Sequence, residues 1–257
     1  MSADVDPAES AGFAPVYFGP RDRPRLALTF DDGPSGRATV RILQVLRQLD
    51  VRATFFVEGR RVKRDPALTR RIVAGGHQIA NHAHTHRSFR SLFPSEIVDE
   101  LTRTQAAIAK ATGVEPGFVR PPFGRFAPSA VPLIAGVGLR VVLWDVDSGD
   151  WHRDPLQIVR GVVRQVRPGS IVLMHDRKPQ TAVALPDLVS ALRRRGYTFV
   201  TVAELLGSSP YHPVRFVDDP ASPLLEAERP VGAVPTTQAV AAAAGILARP
   251  RDGSPRG

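Results

Sequence analysis

Two adjacent carboxylates and a pair of histidines are the first residues whose types and spacing suggest chemistry. Asp31 and Asp32 follow an apolar run, and His82 and His86 are four residues apart. Two histidines and one carboxylate form a common ligand set for a catalytic divalent metal, because they leave positions open for water and substrate. One helical turn would place both imidazoles on the same side. A histidine-rich turn without a metal is the alternative for this pair.

The two neighbouring aspartates need positive charge close by. Adjacent carboxylates repel each other in a dry cleft unless a cation neutralises them. A metal ion could bind one carboxylate, and the guanidinium of Arg120 is the candidate partner for the other. The structural alternative is that one aspartate caps the following helix. Capping would account for only one of the two.

His175 is a further candidate acid–base group, because it directly follows an apolar run. Asp150 could supply the carboxylate that orients its ring. Trp151 and Leu173 would then line a pocket for a small apolar group. The structural alternative is a histidine with satisfied hydrogen bonds, beside ordinary core residues.

Every one of these clusters follows a predicted strand. The apolar runs are short, rich in Val, Ile, Leu and Phe, and lack strict alternation, which is typical of strands buried on both faces. They lie at residues 26–30, 54–57, 78–80, 117–119, 141–144, 170–174 and 199–202. Helix-like patterns lie at residues 37–49, 95–111, 155–166 and 185–195. The alternation predicts an α/β fold: a single-domain, deformed (β/α) barrel of about seven parallel strands, with the site at their carboxyl ends.

Composition sets outer limits on the fold. A chain of 257 residues, 43% of them hydrophobic, can bury one core of barrel size. The absence of cysteine excludes disulfides and cysteine-ligated metals. We expect residues 1–20 to be a flexible N-terminal segment, residues 21–207 to be the catalytic domain, and residues 208–257 to be a Pro- and Ala-rich, disordered tail.

Charge and hydropathy limit the classes of partner that the chain could bind. The net charge of +9 favours anionic partners. Basic residues are not clustered with interleaved aromatics, so we expect a solvated Arg-rich surface and no nucleic-acid partner. No apolar run is long enough for a membrane span, and residues 1–18 lack the pattern of a signal peptide. The expectation is a monomer. Its location stays open: cytoplasmic as written, and extracytoplasmic or in the cell wall if the start is trimmed.

Five segments, taken in order, resemble the motifs of the polysaccharide deacetylase (NodB-homology) family, carbohydrate esterase family four. They are Thr-Phe-Asp-Asp-Gly-Pro at 29–34, the pair His82 and His86, Arg-Pro-Pro-Phe-Gly at 120–124, Asp-Ser-Gly-Asp-Trp at 147–151, and Leu-Met-His at 173–175. The resemblance implies a deformed barrel and one divalent metal, usually zinc, with Co²⁺, Mn²⁺, Ni²⁺ or Fe²⁺ as alternatives.

The resemblance also implies roles for the acid–base groups and the ligands. Asp31 would be the general base, positioned by Arg120. His175 would be the general acid, tuned by Asp150. The implied metal ligands are Asp32, His82 and His86.

The remaining implied roles concern the substrate. The backbone N–H of Phe123 would help form the oxyanion hole, while Trp151 and Leu173 would line the pocket for an acetyl methyl group. Phe123 stands where Tyr is commoner, which leaves a backbone role unaffected. Ala83 stands where Ser or Thr is usual, and that hydroxyl typically braces the metal loop. The rigidity of this loop is therefore an open question.

The reaction implied is removal of N-acetyl groups from N-acetylglucosamine-containing glycans, either peptidoglycan or chitin-type oligomers, with release of acetate. One alternative is an amidohydrolase acting on a small non-sugar amide or imide. Such an enzyme is expected to cover its site, and the short segments between motifs leave little material for a cover. The other alternative is a catalytically silent carbohydrate-binding module. The presence of both a candidate acid and a candidate base argues against it.

Overall fold

The computed structural model describes residues 14–212, in which strands and helices alternate along the chain. The strands are β1 (Arg25–Gly33), β2 (Thr54–Val57), β3 (Gln78–Asn81), β4 (Glu115–Pro116), β5 (Phe118–Val119), β6 (Arg140–Val141), β7 (Val146–Asp147), β8 (Ile171–His175), β9 (Thr198–Phe199) and β10 (Tyr211–His212). The helices are α1 (Arg37–Gln48), α2 (Gly59–Arg64), α3 (Pro66–Ala74), α4 (Pro94–Thr112), α5 (Ala130–Gly136), α6 (Pro155–Gln165), α7 (Pro179–Arg194) and α8 (Val202–Leu206). Single 3₁₀ turns lie at Phe89–Ser91 and Pro122–Gly124.

The main sheet is parallel and curls into a half-barrel. Its strand order is β6-β5-β3-β2-β1-β8-β7, and β9 pairs with the start of β1. Parallel pairing requires a crossover between successive strands, and helices supply most of these crossovers. This arrangement confirms the predicted α/β fold with a deformed barrel of parallel strands. Across residues 14–212, no helix combines the length and apolar character needed to cross a bilayer.

Strand β1 lies at the centre of the sheet and is buried along nearly its whole length. Leu28 and Phe30 share the largest apolar cluster with residues of α1 and α7. Thr29 and Asp31 point to the opposite face, because successive side chains of a strand alternate. That inner face is the barrel interior, where polar groups meet. The burial of both faces explains why the sequence of β1 does not alternate strictly between apolar and polar residues.

Residues 14–20 pack on the barrel and do not form the flexible segment expected from the sequence. Val16 is buried; its N–H donates to the carbonyl of Val141 at 2.9 Å, and its carbonyl accepts from Leu143 at 2.7 Å. Gly19 donates to the carbonyl of Gly169 at 2.8 Å. The expectation is thus corrected for residues 14–20, while residues 1–13 lie outside the described part.

The folded domain also continues beyond the predicted boundary at residue 207. Strand β10 pairs antiparallel with β4, and the hydroxyl of Tyr211 accepts a hydrogen bond from the Ile79 N–H at 3.3 Å. Residues 208–212 therefore belong to the domain, because their backbone and one aromatic ring are bound to it. The rest of the predicted tail, residues 213–257, lies outside the described residues.

Most predicted elements differ from the observed bounds by a few residues, and three of the differences have a structural reason. The run 141–144 is not one strand, since the chain leaves β6 at one end of the sheet and enters β7 at the other. The run 199–202 ends early because Thr201 caps α8, with its hydroxyl accepting from the Glu204 N–H at 3.3 Å. Helix α7 begins at Pro179, before the predicted 185, because proline is well tolerated in a first helical turn.

The contact of Tyr211 leads to a stability prediction. Tyr211→Ala removes a ring that packs against the core and the acceptor of the Ile79 N–H, so we expect a loss of about 2 kcal/mol, below the range for fully buried aromatics. Thermal unfolding should show a melting temperature lower by about 4–8 °C. Tyr17→Ala is the control, because that ring is half exposed. Equal melting temperatures for the two variants would contradict the extended boundary.

Candidate active site

The candidate residues meet at the carboxyl ends of the parallel strands. Asp31 ends the inner face of β1 and is the register partner of His175 at the end of β8. Asn81, which precedes His82, pairs with Val119, which precedes Arg120. Neighbouring strands lie about 4.8 Å apart, so these pairings bring residues distant in sequence to one rim.

Asp32, His82 and His86 form the candidate metal centre. One donor atom from each lies within 4.8 Å of the others. The Asp32 Oδ1 atom is 3.4 Å from His82 Nε2 and 3.1 Å from His86 Nε2. His82 Nδ1 lies 2.7 Å from the carbonyl of Arg120, which fixes a proton on Nδ1 and leaves Nε2 free to bind a metal. The donor chemistry and the convergence of these atoms fit a divalent ion.

The charges in this cluster are strongly coupled. Burial alone would raise the pKa of Asp32, but hydrogen bonds from His82 and His86 bring it well below its usual value. Burial alone would lower the pKa of His82, whereas the carboxylates of Asp31 and Asp32 raise it. Without a metal the carboxylates thus attract protons to the histidine. A divalent ion would compete for the same position.

The backbone of the site is strained. Asp32, Ala83, His86 and Phe123 have φ between 60° and 72°, and they are four of the five non-glycine residues with positive φ in the described part of the chain. Such conformations cost of order 1–3 kcal/mol each and persist where the surroundings enforce them. His82 and His86 are therefore joined by a loop, not by the helical turn considered from their spacing. The left-handed residues Ala83 and His86 make that loop turn.

Asp31 is held by a fully buried arginine. Arg120 Nη1 donates to Asp31 Oδ1 at 2.7 Å and to the Thr29 hydroxyl at 2.8 Å. Its other donors reach the carbonyls of Val142 and Leu143. Burial lowers the pKa of Arg120, and Asp31 opposes that shift. Because Oδ1 of Asp31 binds Arg120, its other oxygen, Oδ2, faces the metal centre and lies 3.8 Å from His82 Nε2.

The capping alternative for the aspartates does not hold. The residue that caps α1 is Gly36, which makes no side-chain hydrogen bond to the helix. Asp31 instead binds Arg120, and Asp32 lies against the two histidines.

His175 is oriented by a buried carboxylate, as the sequence suggested. Its Nδ1 lies 2.7 Å from Asp150 Oδ1, so Nε2 is directed away from this carboxylate. Asp150 Oδ2 accepts from the His175 N–H at 2.7 Å and from the Thr181 hydroxyl at 2.6 Å. Burial lowers the pKa of His175, but the hydrogen bond to Asp150 and the charge of Asp31 more than offset this effect and raise the pKa.

The three residues assigned to the substrate lie around these groups. The Trp151 ring is 5.2 Å from the His175 ring and 41% exposed. Leu173 is buried on the inner face of β8, two residues before His175. Phe123 is left-handed within a 3₁₀ turn, and its ring lies 4.7 Å from that of His86 with 60% exposure. The structure thus gathers all ten candidates, and their individual roles stay predictions.

Glu100 was not among the residues predicted from the sequence. It braces the metal loop, which we define as residues 82–86. Its Oε2 accepts from the backbone N–H groups of His84 and Thr85, both at 2.7 Å, and its Oε1 accepts from the Thr85 hydroxyl at 2.5 Å. The Asn81 side chain accepts from the Ala83 N–H at 2.9 Å. The loop is therefore fixed without a hydroxyl at residue 83. An acid on the buried stripe of α4, between Ile97 and Leu101, was the available signal.

Asp176 is a second buried acid that the sequence analysis did not assign. It accepts from the Thr39 hydroxyl at 2.5 Å and lies directly behind Gly33, where an added Cβ would come 2.0 Å from its Oδ2. Burial raises the pKa of Asp176 to about 7. Only glycine fits at residue 33 beside this carboxyl group, so Asp176 and Gly33 together fix the turn that follows Asp31 and Asp32.

A family model described as polysaccharide deacetylase matches residues 18–142. The chain is 40% identical to a chitooligosaccharide deacetylase from Bradyrhizobium sp. (strain ANU 289), covering 69% of this chain and 89% of that protein. It is 38% identical to the peptidoglycan-N-acetylglucosamine deacetylase PgdA of Listeria monocytogenes, covering 71% of this chain. The match spans only 39% of the Listeria protein's length.

Two solved structures have the same fold. One is a peptidoglycan N-acetylglucosamine deacetylase in complex with a naphthyl N-oxidanyl-benzamide; it is 28% identical, with a TM-score of 0.77, and the match covers 81% of this chain and 100% of the other. The other is a CE4 family pseudoenzyme from Bacillus anthracis, which is 33% identical with a TM-score of 0.72, and the match covers 75% of this chain and 69% of the other.

The contacts of Glu100 predict a loss of metal affinity when it is changed. Glu100→Gln keeps one acceptor oxygen but removes the negative charge, which weakens the charge-assisted hydrogen bonds from the N–H groups of His84 and Thr85. We expect cobalt to bind about 10–100-fold more weakly, as is typical for residues that support ligands. The dissociation constant is measured from visible absorbance during Co²⁺ titration, with His86→Ala as the reference for a lost ligand.

The matched control is Asp99→Asn. It removes the same charge from the neighbouring residue of α4, which is exposed and pairs with Arg103. Equal cobalt affinities for Glu100→Gln and Asp99→Asn would show that Glu100 does not support the metal loop. Circular dichroism checks that each variant is folded.

Proposed function

The chain belongs to the polysaccharide deacetylase family, and from this we propose that it removes N-acetyl groups from N-acetylglucosamine-containing glycans, releasing acetate. One observation carries the proposal. A carboxylate held by Arg120 and an imidazole held by Asp150 stand on neighbouring strands, beside a set of three metal-binding side chains. A base, an acid and a site for an electrophilic metal are what hydrolysis of an unactivated amide requires.

We propose Zn²⁺ as the metal, with Co²⁺, Mn²⁺, Ni²⁺ and Fe²⁺ as alternatives. Two imidazoles and one carboxylate suit zinc and also suit these other ions. The ligands would be Asp32, His82 and His86. A bound divalent ion supplies Lewis-acid chemistry, which polarises a carbonyl and makes water more acidic.

The two acid–base residues divide the proton transfers. Asp31 uses Oδ1 to bind Arg120, so its Oδ2 is the atom available to accept a proton from the attacking water. As the water oxygen bonds to the acetyl carbon, the N–H of Phe123 would donate to the developing oxyanion. His175 Nδ1 is occupied by Asp150, so Nε2 would deliver the proton to the leaving amine as the C–N bond breaks. Acetate and a free amino sugar result.

The surroundings of His175 support an acetyl group as the acyl group that is hydrolysed. Leu173 is buried on the same strand face as His175, and the Trp151 ring packs on the imidazole. Together they would offer an apolar wall beside the acid. A methyl group gains roughly 0.8 kcal/mol from such burial, whereas a longer acyl chain would have to displace buried side chains.

The openness of the site favours a long substrate over a small amide. The Trp151 and Phe123 side chains are 41% and 60% exposed, so solvent reaches the site on both of these sides. Because one similar structure is a pseudoenzyme, a silent module is the second alternative. The ordered geometry of Asp31 and His175 supports activity, since a module that only binds sugar needs neither hydrogen-bonded pair.

The proposed division of roles predicts that catalysis and metal binding separate. Asp31→Asn and His175→Ala should each lower kcat by about 10²–10⁴-fold, the usual contribution of a general base or acid. Metal content should stay at the wild-type level, because neither residue belongs to the ligand set. Asp187→Asn, an exposed change on α7, is the control. Wild-type turnover by either variant would remove that residue from the mechanism.

Substrate class is tested by acetate release from a panel of compounds. We expect turnover of N-acetylglucosamine oligomers and peptidoglycan strands, with longer oligomers favoured because they bury more surface in an open groove. The panel includes the monomer, acetylated xylan and small cyclic amides. Turnover of the small amides alone would replace this proposal with the amidohydrolase alternative.

We further propose a monomer that acts outside the cytoplasm. All ten site residues come from one chain, so a second copy is not needed to complete the site. The proposed wall glycans lie outside the cytoplasm. Light scattering on the purified protein and fractionation of cells test the two statements.

A further inference from the structure

We propose that Arg177 and Lys178 form a cationic rim of the active site that binds a carboxylate on the glycan strand. Acidic amino-sugar strands would then be better substrates than neutral ones. The inference rests on the proposed function and specifies its substrate class. By cationic rim we mean these two residues only.

The cationic rim directly borders the acid and the metal centre. It follows β8, two and three residues after His175, and precedes Pro179 at the start of α7. Arg177 Nη1 is 4.0 Å from Asp32 Oδ2. Lys178 Nζ lies 3.4 Å from the centre of the Trp151 ring. Two positive charges thus stand beside the position where an acetylated sugar would bind.

Both cations are available to a ligand. The Arg177 side chain is 43% exposed, and Asp32 at 4.0 Å is its single carboxylate neighbour in the described part of the chain. Asp32 is buried, but the guanidinium of Arg177 is open to solvent and lies at the outer limit of an ion-pair distance, so this pair contributes little. A metal ion bound to Asp32 would also neutralise the charge of that carboxylate and so leave Arg177 without an anionic partner there. Lys178 pairs with no carboxylate within residues 14–212, and its contact is the face of Trp151.

The chemistry of the cationic rim points to a carboxylate. A guanidinium beside a divalent cation site is repelled by the metal, and an anion between or near them relieves this repulsion. Arginine binds both oxygens of a carboxylate, which makes it selective for that group over a hydroxyl. A neutral N-acetylglucosamine oligomer has only hydroxyl and amide groups. A strand with lactyl ether carboxylates offers the anion.

The experiment compares two tetrasaccharides of equal length. One alternates N-acetylglucosamine with N-acetylmuramic acid and has free lactyl carboxylates; the other is neutral chitotetraose. Affinity is measured by calorimetry on the zinc-loaded protein, and kcat/KM by acetate release. We expect the wild type to favour the acidic strand, and Arg177→Gln or Lys178→Gln to lower the acidic-to-neutral ratio about fivefold each, the scale of an exposed ion pair.

Two controls separate charge from structure. Methyl esterification of the lactyl groups should remove the preference without changing the sugars, and added salt should reduce it. The double variant Arg193→Gln, Arg194→Gln removes two charges at the far end of α7, about 22 Å from its start, and should keep the wild-type ratio.

The results distinguish the cationic rim from the proposed function. Equal wild-type affinities for the two tetrasaccharides, or an unchanged acidic-to-neutral ratio in Arg177→Gln, would refute carboxylate binding by the cationic rim. Preferential binding of the acidic strand without acetate release would support the rim and refute deacetylation. A ratio that falls equally in the distant double variant would show a general charge effect and overturn the rim.

Discussion

The buried ion pair between Arg120 and Asp31 is the interaction on which the site depends. Arg120 is fully buried, and its side chain links Asp31 to the Thr29 hydroxyl on β1 and to backbone carbonyls after β6. Its own carbonyl orients His82. Loss of one partner from a buried pair typically costs about 3–5 kcal/mol, because the other charge is left unpaired. The same residue thus holds the barrel interior, the proposed base Asp31 and the candidate metal ligand His82 in register.

The dependence of the site on this ion pair explains why backbone strain is concentrated at the carboxyl ends of the strands. Thr29 and Asp31 point into the barrel by strand alternation, so Asp32 would point outward in an ideal strand. Its φ of 72° turns the chain and directs its carboxylate to the histidines instead. Gly33 has no Cβ, so the carboxyl group of Asp176 can lie directly against its backbone. The fold can enforce these costly conformations because buried hydrogen bonds surround them, as those of Glu100 do in the metal loop.

The sequence predicts those parts of the structure that local chemistry determines. Strand-end clusters and a resemblance in five motifs identified the ten candidate residues and the barrel. The conformation of residues 82–86 was not predictable from spacing, because it depends on hydrogen bonds that His84 and Thr85 donate to Glu100, which lies 15 or more residues further along the chain. The packing of Val16 and Tyr211 depends on strand edges that exist only after the barrel has formed. The split of residues 141–144 likewise depends on the sheet order, which short apolar runs do not encode.

The environments of Asp31 and Asp32, not their residue type, distinguish the proposed base from the proposed metal ligand. The two carboxylates are adjacent and chemically identical. Arg120 occupies one oxygen of Asp31 and keeps its charge paired, so the other oxygen can exchange a proton without leaving the site uncompensated. Asp32 faces two imidazoles whose free nitrogens suit a metal, and the hydrogen bonds from those histidines hold its pKa well below its usual value. An exchange of these two environments would exchange the roles. The proposed roles of the two aspartates therefore rest on the hydrogen-bond partners of each one.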